Sequence, residues 1–169
     1  MKHTISVTVE NKFGVLARVS GLFSSRGYNI DSLAVGMTQD PNISRMTIVV
    51  KGDDRILEQV IKQLDKLIDV IEVTDLKKGS YVGRELTLIK VKCNSKTRTE
   101  VLEITNVFRA KAIDIGHNTL ILQITGSEEK VEAFIKLMEP FGILELARTG
   151  KVAMLRELNE QPLNEGELE

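Results

Sequence analysis

The sequence predicts an α+β fold made of two tandem ferredoxin-like βαββαβ units, and three observations lead to this prediction. Apolar residues follow a period of two in some segments and a helical period in others, in the order strand, helix, strand, strand, helix, strand. The same order recurs in the second half of the chain. Residues 49–62 (VVKGDDRILEQVIK) also align without a gap with residues 123–136 (QITGSEEKVEAFIK). In such a unit both helices cover one face of an antiparallel sheet.

The first unit opens with a strand of alternating apolar and polar residues, followed by a turn and a segment with helical spacing of its apolar positions. The turn formers QDPN separate the next two strands, and Asp53 or Asp54 can cap the second helix. We therefore predict strands at 4–9, 30–38, 44–51 and 70–76, a helix from Val15 that Gly27 ends, and a helix over the segment 52–70.

The second unit follows the segment KKGSYVG at residues 77–83, which has two glycines and no apolar period and is interpreted as a linker. Beyond it we predict strands at 85–93, 112–116, 120–125 and 143–148 and helices at 99–109 and 128–138. The predicted domains are residues 1–77 and 84–156. Residues 157–169 are polar and acidic, and this composition predicts a flexible tail.

Composition and charge restrict the classes of function. The net charge is −1 and both signs interleave, which argues against a broad basic surface for nucleic acid or an anionic membrane. RNA-recognition motifs share the βαββαβ order but stack bases on strand aromatics, which the central strand SRMTIVVKG lacks, so RNA binding is a minor alternative. Cys93 is the single cysteine and no run approaches the ~20 apolar residues of a membrane span, so we expect a soluble cytoplasmic protein.

Residues capable of catalysis are few, and each has an ordinary structural interpretation. His3 opens a strand and His117 lies in a turn, so both are expected at the surface, while Cys93 is expected in the core. The pairs Asp53-Asp54 and Glu128-Glu129 open helices, where the helix dipole favours negative charge. Walker A and GxGxxG motifs do not occur. We therefore predict neither a catalytic site nor a metal site.

The turn after the first strand has the features of a small-ligand site. The amides of about residues 13–16 are the first helical donors and have no intrahelical acceptor, and Gly14 lets a ligand approach them. Asn11 and Asn29 can donate and accept, and Lys12 is the only nearby cation that the sequence suggests. With apolar neighbours, this set suits a zwitterion with a small apolar side chain better than a phosphate. An ordinary helix start whose amides face water remains an equal alternative. The apolar neighbours are Val15, Leu16, Ile30 and Val35.

Several motifs resemble one known family. The segments ENKFGVLARVSGLFSSRGYNIDSLAVG at 10–36 and DPNISRMTIVV at 40–50 are similar to the small regulatory subunits of acetolactate synthase, also called acetohydroxyacid synthase, whose amino-terminal half is an ACT domain. The similarity extends over nearly the whole chain, including DVIEVTDL and ELARTGKVAMLR. Asn-x-x-Gly-x-Leu combined with Arg-Gly-Tyr-Asn-Ile and Ser-Arg-Met-Thr is far more specific than a general ACT pattern.

The resemblance implies a regulatory subunit without catalytic residues. Such subunits dimerise through their ACT domains, activate a thiamine-diphosphate-dependent catalytic large subunit and make it sensitive to feedback inhibition by valine in branched-chain amino acid biosynthesis. No cofactor is expected on this chain, whereas thiamine diphosphate, Mg and FAD are expected on the catalytic partner. The residues that match the family's effector site, at the interface between two ACT domains, are Asn11, Gly14, Val15, Leu16, Asn29 and Ile30.

Two other functions remain open from the residues alone. One is a free-standing ACT-type amino-acid sensor that regulates a different enzyme or a transcription factor. The other is a small enzyme on a ferredoxin-like fold that uses His117 or Cys93.

Overall fold

The computed structural model describes residues 2–76 and 80–156, which form two antiparallel sheets, each covered by two helices. The elements are β1 (Lys2–Glu10), α1 (Val15–Ser25), β2 (Ile30–Met37), β3 (Ile43–Lys51), α2 (Asp54–Leu64), β4 (Val70–Asp75), β5 (Tyr81–Lys92), α3 (Arg98–Val107), β6 (Lys111–Ile115), β7 (Thr119–Gly126), α4 (Glu128–Met138), β8 (Ile143–Arg148) and β9 (Val152–Leu155). The first sheet has the strand order β2-β3-β1-β4. The second has the order β6-β7-β5-β8, and β9 pairs with the start of β5 beside it. The predicted fold class, two βαββαβ units in tandem, is confirmed.

The apolar face of each sheet packs against its helices to form a separate core. In the first unit, inward-facing residues of β1 and β3 pack against α1 and α2, with Phe23 of α1 almost completely buried. In the second unit β5 and β7 pack against α3 and α4, and the Phe134 ring lies 5.3 Å from that of Phe108, centroid to centroid. Because burial of apolar surface contributes about 25 cal/mol per Å², these two cores are the main stabilising feature of the units.

The repeat detected in the sequence extends to the helix caps. The Asp53 carboxylate accepts a hydrogen bond of 2.9 Å from the Ile56 amide, and the Ser127 hydroxyl accepts one of 3.5 Å from the Lys130 amide. Asp53 and Ser127 occupy equivalent positions in the aligned segments. Of the two caps that the sequence allowed for α2, the structure therefore selects Asp53.

The structure differs most from the predicted elements in α2, β5 and β9. Helix α2 ends at Leu64 because the chain continues in turns, where the Leu67 amide donates to the Leu64 carbonyl. Strand β5 starts at Tyr81, inside the segment predicted as a linker, and β9 was not predicted. Residues 77–79 of that linker and the predicted tail at 157–169 lie outside the described residues.

Strand β9 connects the two units. It pairs antiparallel with the first residues of β5, Tyr81 opposite Leu155 and Arg84 opposite Val152. Its Ala153 amide donates to the Thr47 hydroxyl on the outer face of the first sheet, at 3.3 Å, and Ala153 is 3% exposed. The second unit thus covers part of the sheet face that the helices leave open.

Candidate functional site

The turn between β1 and α1 is shaped by Gly14, which has a φ of +82° in the left-handed region that favours glycine. Among the described residues, no side chain caps α1. Within the described part of the chain, the amides of Phe13, Gly14 and Leu16 have no hydrogen-bond acceptor, whereas the Val15 amide donates to the Lys12 carbonyl at 3.4 Å. These amides stand at the positive end of a helix, so they are suited to an anionic group.

Asn11 connects this turn to the turn between β2 and β3. Its amide donates to the Asn42 carbonyl at 2.6 Å, and its side-chain Nδ2 donates to the Pro41 carbonyl at 2.8 Å. In the described residues no donor is hydrogen-bonded to the Asn11 side-chain oxygen. That oxygen is therefore available to accept a hydrogen bond from a ligand.

Two cations lie beside the turn, although the sequence suggested only Lys12. The Lys12 ammonium donates to the Glu10 carboxylate at 2.8 Å, and this hydrogen bond raises the pKa of Lys12. The second cation is Arg18, so the prediction that Lys12 is the only cation near the turn was wrong. The Arg18 Nε donates to the Asp69 carboxylate at 2.6 Å, and one of its terminal nitrogens would lie 3.1 Å from a Cβ placed on Gly14. The signal was present in the sequence, since residues four apart share a helix face.

The apolar residues expected around the site are buried to different degrees. Val15 belongs to the core beneath the turn, while Leu16 is 44% exposed beside it. Ile30 packs partly against the same core. Val35 is also 44% exposed, on the edge strand β2.

Asn29 and Ile30 lie at the other end of the sheet from the turn. Ile30 is in register with Val50, and Val50 with His3 at the start of β1, whereas Asn11 follows the end of that strand. With a rise of about 3.3 Å per residue, the eight residues from His3 to Asn11 correspond to roughly 25 Å. A single chain therefore does not bring Asn29 together with the turn.

The residues considered for catalysis do not form a catalytic arrangement. His117 is exposed and Cys93 is buried, both as predicted. The prediction for His3 was wrong: this side chain is 1% exposed and its Nε2 lies 3.1 Å from the Gly52 carbonyl oxygen, because β1 starts two residues earlier than predicted. Across residues 2–76 and 80–156 no cluster of three or more His, Cys, Asp or Glu side chains could hold a metal ion. None of the described helices meets the length and hydropathy of a membrane span.

A group of ion pairs, which we term the interdomain ion cluster, joins the two units and was not predicted. The Lys2 ammonium lies 2.6 Å from the Glu128 carboxylate and 3.8 Å from that of Asp31. Lys151 donates to the second oxygen of Glu128 at 3.0 Å, and Lys51 lies 3.3 Å from Asp31. Hydrogen bonds from Lys2 and Lys151 lower the pKa of Glu128 to about 2. Lys2, Asp31, Glu128 and Lys151 also line a cavity of about 280 Å³ between the units.

Two family models match the described units. Residues 5–72 match the AHAS small subunit-like ACT domain, and residues 84–157 match the model described as the small subunit of acetolactate synthase. A probable acetolactate synthase small subunit from Archaeoglobus fulgidus is 58% identical over 156 residues, which is 92% of this chain and 98% of that relative. The chain belongs to the acetolactate synthase small-subunit family. Its identification as a regulatory and not a catalytic subunit, predicted from the resemblance, is confirmed.

Other members of the small-subunit family agree in sequence and in structure. The acetolactate synthase small subunit of Aquifex aeolicus is 53% identical over 159 residues, covering 94% of this chain and 83% of that relative. The crystal structure of the acetolactate synthase small subunit from Thermotoga maritima superposes with a TM-score of 0.86 at 43% identity, covering 94% of this chain and 99% of that one. The small-subunit fold therefore extends through both units.

Proposed function

We propose that this chain activates the catalytic large subunit of acetolactate synthase and makes it sensitive to feedback inhibition by valine, in the cytoplasm. Thiamine diphosphate, Mg and FAD would all be on the large subunit. Valine would bind between the ACT domains of two copies. The observation that best supports a site shared by two copies is the separation of its residues. Within one chain, the turn at 11–14 and Asn29 lie roughly 25 Å apart along β1, so one chain alone does not bring them together.

A two-fold axis beside β2 would combine these separated residues. Strand β2 is an edge of the first sheet, so one row of its backbone groups has no strand partner there, and Val35 and Met37 on it are exposed. Antiparallel pairing with β2 of a second copy would continue the sheet and give an isologous dimer. The start of one β2 would then lie beside the end of the other. That end is at the same side of the sheet as the turn, since Met37 and Val9 both pair with Ser44.

In such a dimer the chemistry of the two half-sites is complementary for an amino acid. The free amides near Gly14 would bind the carboxylate, with Arg18 as an additional positive charge. Asn29 of the other copy would accept from the ammonium group, and Leu16 and Ile30 would contact the isopropyl group. Charge-assisted hydrogen bonds of ~1.5–3 kcal/mol each are consistent with micromolar to millimolar binding.

The substitution Gly14→Asp tests the site, with Gly14→Asn as its control. Both side chains tolerate the left-handed conformation better than most, and both would approach only the flexible end of Arg18. Aspartate alone adds a negative charge where the valine carboxylate would bind. With the large subunit reconstituted, we expect activation by both variants and at least a tenfold higher valine concentration for half-inhibition with Gly14→Asp than with Gly14→Asn.

Three results would contradict the proposal. Equal valine inhibition of the Gly14→Asp variant and the wild-type protein would refute the assigned site. Failure of the wild-type chain to bind or stimulate a large subunit would instead favour an amino-acid sensor that regulates another protein. Turnover by the purified chain alone would favour an enzyme.

A further inference from the structure

Asp31 contacts both the proposed effector site and the interdomain ion cluster. The Asn29 side chain donates to the Asp31 carboxylate at 3.3 Å, and the same carboxylate lies 3.3 Å from Lys51 and 3.8 Å from Lys2. The Asp31 side chain is only 13% exposed, so solvent screens its charge less than that of a fully exposed carboxylate. A change in the contacts of the Asn29 side chain therefore acts directly on the Asp31 carboxylate, which pairs with two cations.

Lys2 continues this contact into the second unit. Its ammonium is shared between Asp31 in the first unit and Glu128, the first residue of α4. Glu128 also accepts from the Lys151 ammonium, and the Lys151 amide donates to the Ser32 hydroxyl at 3.0 Å. A continuous series of polar contacts thus leads from Asn29 to the helix and to the segment just before β9.

We propose that Asp31 couples effector binding to the contact between the two units, through competition for its carboxylate. This inference rests on the proposed function, since it assumes that the ligand ammonium binds at Asn29. An ammonium group placed there adds a third cation beside Asp31, and Lys2 then pairs less strongly with Asp31. Because Lys2 belongs to β1 of the first unit, its ammonium then pairs more strongly with Glu128 of the second unit, and the contact between the units becomes stronger. Binding is reciprocal, so the state of Lys2 must in turn change the affinity for the ligand.

Two substitutions on the two sides of the ion pair should change the affinity for valine in opposite directions. Glu128→Gln leaves Lys2 with Asp31 alone, so Asp31 attracts the ligand ammonium less and the valine Kd rises about two- to fivefold. Lys2→Met removes the competing cation, so the valine Kd falls by about the same factor. Glu129→Gln is the matched control, because this substitution makes the same charge change one residue away, at an exposed side chain.

The double variant Lys2→Met/Glu128→Gln separates a contact pathway from a general change of charge. If Lys2 transmits the effect, Glu128→Gln has no further effect once Lys2 is gone, and the double variant binds valine like Lys2→Met alone. If the two charges act independently at a distance, their effects add and nearly cancel.

The experiment is calorimetric titration of the purified full-length chain with valine, for the wild type and all four variants, with thermal unfolding to verify folding. Three results together would support the coupling. The valine Kd shifts in opposite directions in Glu128→Gln and Lys2→Met, it stays at the wild-type value in Glu129→Gln, and it is the same in the double variant as in Lys2→Met. The coupling would be overturned, and the proposed function left standing, by any of three results when the wild-type chain binds valine. These are an unchanged valine Kd in Glu128→Gln and Lys2→Met, shifts of the Kd in the same direction in both, or additive effects in the double variant. Absence of valine binding by the wild-type chain would overturn both.

Discussion

Mixed dimers provide a direct test of a site shared between two copies. Gly14→Asp damages the turn and Asn29→Ala damages the other half-site, about 25 Å away in the same chain. In a dimer of one Gly14→Asp chain with one Asn29→Ala chain, one site combines both defects. The other site combines the intact turn of one chain with the intact Asn29 of the other. Two variants that each bind valine weakly should therefore restore tight binding when they are combined.

The expected magnitude follows from counting sites. Random pairing of equal amounts gives about half mixed dimers, each with one intact site out of two, so about one quarter of the wild-type number of sites returns. Each variant alone should bind at least tenfold more weakly, because removing a hydrogen bond to a charged group costs about 1.5–3 kcal/mol.

Calorimetry on the co-expressed pair measures this stoichiometry, with each variant alone as the control. Two affinity tags would allow the mixed dimer to be isolated, and its expected stoichiometry is one valine per dimer with wild-type affinity. If the isolated mixed dimer bound no valine, the turn of one copy and Asn29 of the other would not form one site. The two-fold arrangement through β2 would then be wrong.

Two further predictions concern stability. Since hydrogen bonds from Lys2 and Lys151 lower the folded-state pKa of Glu128 to about 2 from an ordinary 4.5, its ion pairs contribute stability above pH 4.5 that is lost as the pH falls towards 2. Glu128→Gln should therefore lower the free energy of unfolding by about 1 kcal/mol at pH 7 and by nearly nothing at pH 2, and an equal loss at both pH values would contradict the assignment. Phe23→Ala should cost about 3–5 kcal/mol in urea unfolding, whereas Phe13→Ala, at a fully exposed side chain, should stay within about 0.5 kcal/mol.

Much of the fold could be predicted because its signals are local. Alternation along β1 and helical spacing from Val15 each indicate one element, and a cap for α2 could be narrowed to Asp53 or Asp54, of which Asp53 is the one observed. Strand β9 was missed because it has four residues and its pairing partner, the start of β5, is about 70 residues earlier in the sequence. Short strands of this kind depend on tertiary contacts and have little periodicity of their own.

The candidate site shows the same limit. The sequence suggested Gly14 and the free amides, since a strand followed by a helix start is a local pattern. It did not show that Asn29 lies at the far end of the sheet, which requires the register of three strands. Glu128 was correctly interpreted as a residue that opens a helix, but its ion pair with Lys2 spans 126 positions and has no local signal.

The position of β9 in chain order also bears on biosynthesis. A ribosome delivers the first sheet complete before it delivers the second unit, and Ala153 reaches Thr47 only after nearly all of the other described residues have been made. The outer face of the first sheet is therefore bare while translation continues, with its edge strand β2 also unprotected. In the proposed dimer, nascent chains on one messenger would therefore be able to pair through β2 before β9 of either chain has been made.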